Sequence, residues 1–313
     1  VLPNMKLSIV IPLYNSASFQ GLLLEALNVE RQKNGWDLEV ILVDDGSKDG
    51  SYELAVKNQS KFPFVKAIKL ARNFGHQAAV RTGLDYVCGD VVAIIDDDLQ
   101  DHPNVLPTFI AKLGEGWDVV YGVRRKRKES LLKRVCYRLF YRILRSVSEI
   151  DIPLDTGDFC VMKKQVVEKM LSLPEKNPFL RGIRAWVGFK QTGLEYDRAA
   201  RIAGDSGYTI QKLLRLALDG IFSFSVLPLK AITVLGVVGF FFSFIYAAYI
   251  LSKLFTSGVE VKGFVTLALL ITFFGSLILV CLGIIGEYIS RIYAESKDRP
   301  ISVIEATHNI HEN

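Results

Sequence analysis

Two stretches near the carboxyl end, Ala231–Leu251 and Gly263–Gly286, carry no charged residue, and they restrict what the whole chain can become. A helix rises about 1.5 Å per residue, so each stretch can cross a hydrocarbon core of about 30 Å. The competing reading is a buried helix pair inside a soluble fold. The connection Ser252–Lys262 is short, so the two spans form a hairpin with both outer flanks on one side. Lys212, Arg215 and Lys230 precede the hairpin, and Arg291, Lys297 and Arg299 follow it. The connection holds Lys253 and Lys262 with Glu260 between them. The positive-inside bias therefore predicts cytoplasmic flanks. Hydrophobic residues make up 50% of the 313 residues and charged residues 23%, at a mean hydropathy of +0.25. That balance is too apolar for an ordinary soluble protein and too charged for a purely membrane one, so a water-exposed domain must accompany the hairpin.

That domain shows itself up to about Val123. Leu7–Leu13, Leu38–Val43, Val65–Leu70, Val91–Ile95 and Asp118–Gly122 read as short apolar strands, with helical stretches such as Phe19–Lys33 and His76–Val87 between them. The alternation predicts an α/β fold whose mostly parallel sheet has helices on both faces. The strands end in polar clusters: Tyr14-Asn15-Ser16, Asp44-Asp45-Gly46-Ser47, Arg72-Asn73-Phe74-Gly75 and Asp96-Asp97-Asp98. All of these would open on one edge of the sheet, where ligands bind in open α/β folds.

Past Arg124 the composition changes. Leu131–Val147 interleaves apolar residues with Lys133, Arg134, Arg138, Arg142 and Arg145, a pattern for a helix on a membrane surface or a basic helix packed on the domain. Thr209–Phe224 reads as a second amphipathic helix leading into the hairpin. Ile301–Ile304 reads as a short closing strand offered to a second subunit, which makes a homo-oligomer the expected assembly. No recognised nucleic-acid module occurs, so nucleic acid is not expected as a partner. Cys88, Cys136, Cys160 and Cys281 are scattered without a CxxC, which points to a reducing compartment and away from zinc. Lys6–Leu13 has a strand pattern where a signal peptide would show a long apolar core, so no cleaved leader is expected.

The acidic triplet carries most of the chemistry. Unpaired, Asp96, Asp97 and Asp98 would raise one another's pKa. A divalent cation removes that conflict, and hard oxygen donors suit Mg2+ or Mn2+. Such a cation can neutralise a diphosphate. The plainer reading is a solvated acidic turn that caps a helix. His76 reads as the start of a helix and His102 as structural, while His308 and His311 fall in a terminal segment expected to be disordered.

In combination these motifs resemble the polyisoprenyl-phosphate glycosyltransferases of glycosyltransferase family 2, with a GT-A fold. The residues that carry the resemblance are Ile11-Pro12-Leu13-Tyr14-Asn15, Val43-Asp44-Asp45-Gly46-Ser47-Lys48-Asp49-Gly50, Arg72-Asn73-Phe74-Gly75, Asp96-Asp97-Asp98-Leu99-Gln100-Asp101, Gly122-Val123-Arg124 and Thr156-Gly157-Asp158-Phe159. The resemblance implies that Pro12, Tyr14, Asn15, Asp44 and Ser47 border the nucleoside. It implies that Asp96 and Asp97 lie at the nucleotide sugar, and that Asp98 and Gln100, with Asp96, hold the metal. Arg124 and Arg138 would meet the acceptor phosphate, and Asp158 would act beside the acceptor. Arg198 and Arg201 would lie over the donor diphosphate, ahead of Ser206-Gly207-Tyr208, where Gly207 stands in place of a common lysine. Asp158, Asp96 and Arg124 are the expected catalytic residues. A phosphate monoester is largely ionised at neutral pH, so Asp158 is expected to orient substrate more than to remove a proton. For Asp158 a helix N-cap before Lys163–Leu171 is the plainer alternative.

The implied organisation is a cytoplasmic GT-A domain over residues 1–208 with an interfacial helix near 131–147. A juxtamembrane helix over 209–228, a transmembrane hairpin over 229–288 and a cytoplasmic tail over 289–313 follow. The implied activity is inverting transfer of glucose from UDP-glucose to polyprenyl (undecaprenyl) phosphate at a bacterial inner membrane. Mannose from GDP-mannose and a formamido-arabinose from its UDP donor are the alternative sugars, and a catalytically silent scaffold is the alternative class. No Gln-x-x-Arg-Trp motif supports a processive synthase, and no GxGxxG follows the first strand.

Overall fold

The computed structural model describes residues 5–124, 156–175, 179–197, 227–257 and 263–310. Among these residues two compact units are present, one built on residues 5–124, 156–175, 179–197 and 299–310 and the other on residues 227–257 and 263–298.

The first unit is an eight-stranded mixed sheet in the order β7-β5-β6-β4-β1-β2-β3-β8. Strands β1 (Lys6–Leu13), β2 (Asp37–Asp44), β3 (Val65–Leu70) and β4 (Val91–Ile94) are mutually parallel. Their near-continuous apolar runs suit strands covered on both faces. Helices α1 (Ala17–Asn34), α2 (Ser51–Asn58) and α4 (Leu106–Gly114) cover one face, where Leu23, Leu27, Phe62 and Phe109 pack on Ile9, Ile11 and Leu42. Helices α3 (His76–Leu84), α5 (Lys164–Leu171) and α6 (Leu180–Trp186) cover the other, where Val80, Val167 and Ile183 pack around Val10, Ile41 and Val92.

Two strands depart from the sequence reading. β6 (Thr156–Lys163) inserts antiparallel between β4 and β5 (Val119–Arg124), and β7 (Gln191–Tyr196) runs parallel to β5 at the sheet edge. Asp158 therefore sits within a strand, which rules out the N-cap alternative.

The second unit contains α7 (Leu227–Ser257) and α8 (Phe264–Ser296). Both helices extend past the charge-free stretches, and their apolar windows, Leu227–Tyr246 and Leu270–Ser296, have no buried residue. That exposure disposes of the buried-helix-pair alternative and leaves two candidate membrane spans. The helices proposed at 131–147 and 209–224 lie outside the described residues.

The terminal strand also differs from expectation. β8 (Ile304–His308) pairs antiparallel with β3 of its own chain, so this edge is used internally rather than by a second subunit. Lys69 meets Glu305 at 3.1 Å, Asn309 donates to the Val65 carbonyl at 3.2 Å, and His308 pairs with Gln59, so His308 is ordered. Thr82 of α3 shares a 2.6 Å hydrogen bond with Ser302. Chain removal from Ile301 onward would bare the β3 edge and leave Thr82 without this partner. Such a truncation is expected to lower the melting temperature and increase aggregation in detergent. Thermal unfolding with light scattering checks this, and an unchanged midpoint would contradict it.

Candidate active site

The carboxyl ends of β1 to β4 build one platform. After β1, Asn15 takes a left-handed φ of 53°, tolerated by asparagine because its short amide bonds locally. Its backbone N–H donates to Ser47 Oγ at 3.0 Å and its Oδ1 accepts from Lys48 N at 3.0 Å, which ties the first loop to the second. Tyr14 and Asn15 are exposed, and Pro12 is buried in β1. Asp44 is buried and accepts from Ser47 N at 3.2 Å through Oδ2, while its buried Oδ1 has no hydrogen-bond partner. Burial raises the Asp44 pKa.

Asp45 joins the second loop to the third. Its two oxygens accept from Phe74 N at 2.7 Å and Gly75 N at 2.9 Å. Gly46, at φ +70°, lets the loops touch: a Cβ there would lie 2.6 Å from the Arg72 carbonyl carbon and the Asn73 nitrogen. No L side chain fits at that position without moving backbone.

At the end of β4, Leu99 has φ 55° and its side chain is buried. Left-handed backbone at a leucine is strained and persists only when its surroundings hold it. The buried side chain supplies that anchor, and Asp98 Oδ1 accepts from Gln100 N at 3.2 Å across the turn. Asp101 is buried and receives the Tyr196 hydroxyl at the end of β7. Tyr196 stacks with Phe109 and Phe159, and Gly122 makes room for its ring, since a Cβ would approach Tyr196 Cε1 to 2.5 Å. The acidic loop is thus pinned at both ends.

Between these loops and β6 lies a cluster of charges. His76 Nε2 is 3.2 Å from Asp158 Oδ2 and 3.8 Å from Asp96 Oδ1. Arg181 Nε is 2.7 Å from Asp158 Oδ1, and Gln77 Nε2 is 3.0 Å from Oδ2. Burial and the neighbouring Asp158, Asp101 and Asp98 push Asp96 up to about 6, against the opposing pull of His76. Burial also raises Asp97, opposed by the Ser16 hydroxyl and the Tyr14 backbone. For Asp158 burial works upward, but the Arg181 charge and the His76 contact outweigh it and hold the carboxyl well below the usual range. The same carboxylates raise His76, overcoming its desolvation.

The structure therefore brings together Pro12, Tyr14, Asn15, Asp44, Ser47, Asp96, Asp97, Asp98 and Gln100 at one sheet edge, with Asp158 beside Asp96. Arg124 is the last residue of β5. Arg138, Arg198 and Arg201 lie outside the described residues. Sequence reasoning missed Arg181 and Gln77 and gave His76 only a helix-starting role. The available signal was the pair Arg181 and Arg184, spaced i, i+3 but separated from the Thr156–Phe159 motif by a further helix.

The sequence profile described as glycosyl transferase family 2 matches residues 8–171. The SfII prophage-derived bactoprenol glucosyl transferase of Shigella flexneri is 37% identical over 305 residues, covering 97% of this chain and 99% of the relative. The chain belongs to glycosyltransferase family 2. An uncharacterized glycosyltransferase of Bacillus subtilis, YkcC, is 42% identical and covers 98% of this chain and 95% of its own length. An uncharacterized glycosyltransferase of Synechocystis is 40% identical, with 96% of this chain and 95% of the relative covered. This family 2 enzyme is a glycosyltransferase with a GT-A fold.

Proposed function

We propose that the enzyme transfers glucose from UDP-glucose to polyprenyl phosphate, with inversion at the anomeric carbon. The observation that carries this reading is the near full-length similarity to a Shigella bactoprenol glucosyl transferase, which spans the catalytic unit and both apolar helices. The Asp158 environment agrees with a phosphate acceptor. A hydroxyl acceptor needs a base that takes up its proton, whereas Arg181, Gln77 and His76 stabilise the ionised form of this carboxylate and make it a poor base. A phosphate oxygen, already ionised, can attack without losing a proton.

In this reading Tyr14, Asn15, Asp44 and Ser47 bind the nucleoside, and Asp96 and Asp97 lie at the ribose and sugar. Arg124 and Arg138 meet the acceptor phosphate, and Arg198 and Arg201 the donor diphosphate. The acidic loop suits a hard divalent cation, because Asp96 and Asp98 offer carboxylate oxygens where burial, with the neighbouring carboxylates adding to it, disfavours an uncompensated charge on Asp96. Asp98, Gln100 and Asp96 would hold Mg2+ or Mn2+. When bound, the ion supplies charge neutralisation for the departing diphosphate.

The hairpin anchors the enzyme in a bacterial inner membrane. Two spans joined by a short connection return the chain to the side from which it leaves. The basic flanks support a cytoplasmic position for that side.

The test is incubation of the purified full-length chain with undecaprenyl phosphate, Mg2+ or Mn2+, and labelled UDP-glucose, GDP-mannose or UDP-formamido-arabinose. Lipid-linked β-glucose from UDP-glucose alone is expected. Product from another donor would replace the sugar, and nucleotide binding without any product would favour the scaffold.

A further inference from the structure

Asp158 lies in β6, yet two helices distant in sequence fix its carboxylate. Arg181 of α6 reaches Oδ1 with Nε at 2.7 Å and Oδ2 with Nη2 at 3.5 Å. Gln77 of α3 donates to Oδ2 at 3.0 Å, and its own Oε1 accepts from Leu180 N at 3.1 Å. That second bond settles the orientation of the amide: the oxygen faces the helix N–H, so the NH2 faces Asp158. One glutamine thereby joins α3, the first residue of α6 and β6. His76 Nε2 adds a third approach at 3.2 Å. The Asp158 side chain is only 12% exposed, so without these donors it would be a buried, uncompensated anion next to Asp96.

We propose that Arg181, seconded by Gln77, is a positioning residue for sugar transfer: it holds Asp158 as an oriented anion rather than leaving it free to take a proton. The proposal rests on the glycosyl-transfer reading above. In that reaction an ionised oxygen of the acceptor phosphate forms the new bond to the anomeric carbon. The bond from that carbon to the UDP oxygen breaks, and UDP leaves with the electron pair. No proton changes hands, so a fixed Asp158 is compatible with every step. Arginine suits the task because its planar fork spans both carboxylate oxygens, a geometry that a lysine ammonium does not reproduce.

The experiment compares the full-length wild type with R181K, R181Q, Q77A, D158N and R181Q/D158N in detergent, using undecaprenyl phosphate and UDP-glucose. R181Q is expected to lose about 10²-fold in kcat, the scale of a misplaced reacting geometry, with KM for UDP-glucose unchanged. R181K should recover part of that loss. R181Q/D158N should be no slower than the slower single variant, because both act through one carboxylate. UDP binding and thermal midpoint show whether R181Q remains folded. If it does not, Q77A, which leaves the ion pair in place, carries the same kcat-against-KM comparison. An R181Q enzyme at wild-type kcat, or additive losses in the double variant, would overturn the proposal while the function stands. A wild type that makes no lipid-linked sugar from any donor would overturn the functional reading, and the proposal with it.

Discussion

Asp98→Asn is expected to reduce sugar transfer by about 10²–10³-fold while leaving the protein folded, the size of effect seen when one preorganised charge-stabilising group is removed. The argument is local. Asp98 Oδ1 accepts from Gln100 N at 3.2 Å, and an asparagine oxygen accepts that bond equally well. The left-handed turn at Leu99 depends on the buried leucine side chain, which the substitution does not touch. Stability should therefore move by no more than about 0.5 kcal/mol, as for other substitutions that keep local contacts. The variant loses one negative charge at the strand end where the diphosphate's cation would be held. Activity measured across a Mg2+ titration, alongside thermal unfolding, separates the two effects. A high Mg2+ requirement with a normal melting point supports the assignment. Wild-type rates at low Mg2+ would remove Asp98 from the metal set.

How much of this was legible depended on whether an element is specified locally. β1 to β4 stand out because each is an apolar run closed by a polar cluster, and Val65–Leu70 matches the observed β3 at both ends. β6 was hidden, because Thr156–Lys163 mixes Asp158 and Lys163 with apolar residues and gains its strand character from β4 and β5 on either side. β7 carries the polar sequence Gln191–Tyr196 at the sheet edge, where one flank meets solvent and apolar periodicity is not required. The site divides in the same way. The residues at the carboxyl ends of β1, β2 and β4 sit inside contiguous motifs, whereas Arg181 and Gln77 reach Asp158 across separations that only the folded sheet closes. His76 was legible as a helix start, but its position between Asp96 and Asp158 is a property of packing. A closing strand was expected at Ile301–Ile304, but β8 begins at Ile304 and runs through His308, in the segment expected to be disordered, because its strand character comes from pairing with β3.

The opposite edge of the same sheet should govern acid stability through Glu39. This β2 side chain is buried, and it receives the Ser8 hydroxyl, Cys88 N at 2.6 Å and Lys66 Nζ at 2.8 Å, with Lys6 Nζ at 3.8 Å. Gly89 N in turn donates to Ser8 Oγ at 2.7 Å, so one carboxylate gathers β1, β2, β3 and the turn before β4. Burial alone would raise its pKa, but the hydrogen bonds from Lys66, Ser8 and the Cys88 amide, with the Lys66 charge, prevail and lower it. A lowered folded-state value means that the ionised form is favoured in the native protein. Its contribution is complete above the unfolded glutamate value of about 4.3 and is lost as pH falls through the folded value. Glu39→Ala should cost about 3–5 kcal/mol at neutral pH, because Lys66, the Ser8 hydroxyl and the Cys88 N–H lose their shared acceptor. At roughly 2–4 °C per kcal/mol for a domain of this size, the thermal midpoint should fall well outside measurement error. Glu39→Gln, which keeps the shape but not the charge, should cost less. The decisive observation is the gap between wild type and Glu39→Gln: it should be widest near neutrality and shrink as pH is lowered below about 4.3. A gap that is constant or grows in acid would show that the Glu39 charge does not stabilise the native state. Sugar transfer per folded molecule should be unchanged in both variants, because this network closes the amino end of the strands and the candidate site lies at their carboxyl end.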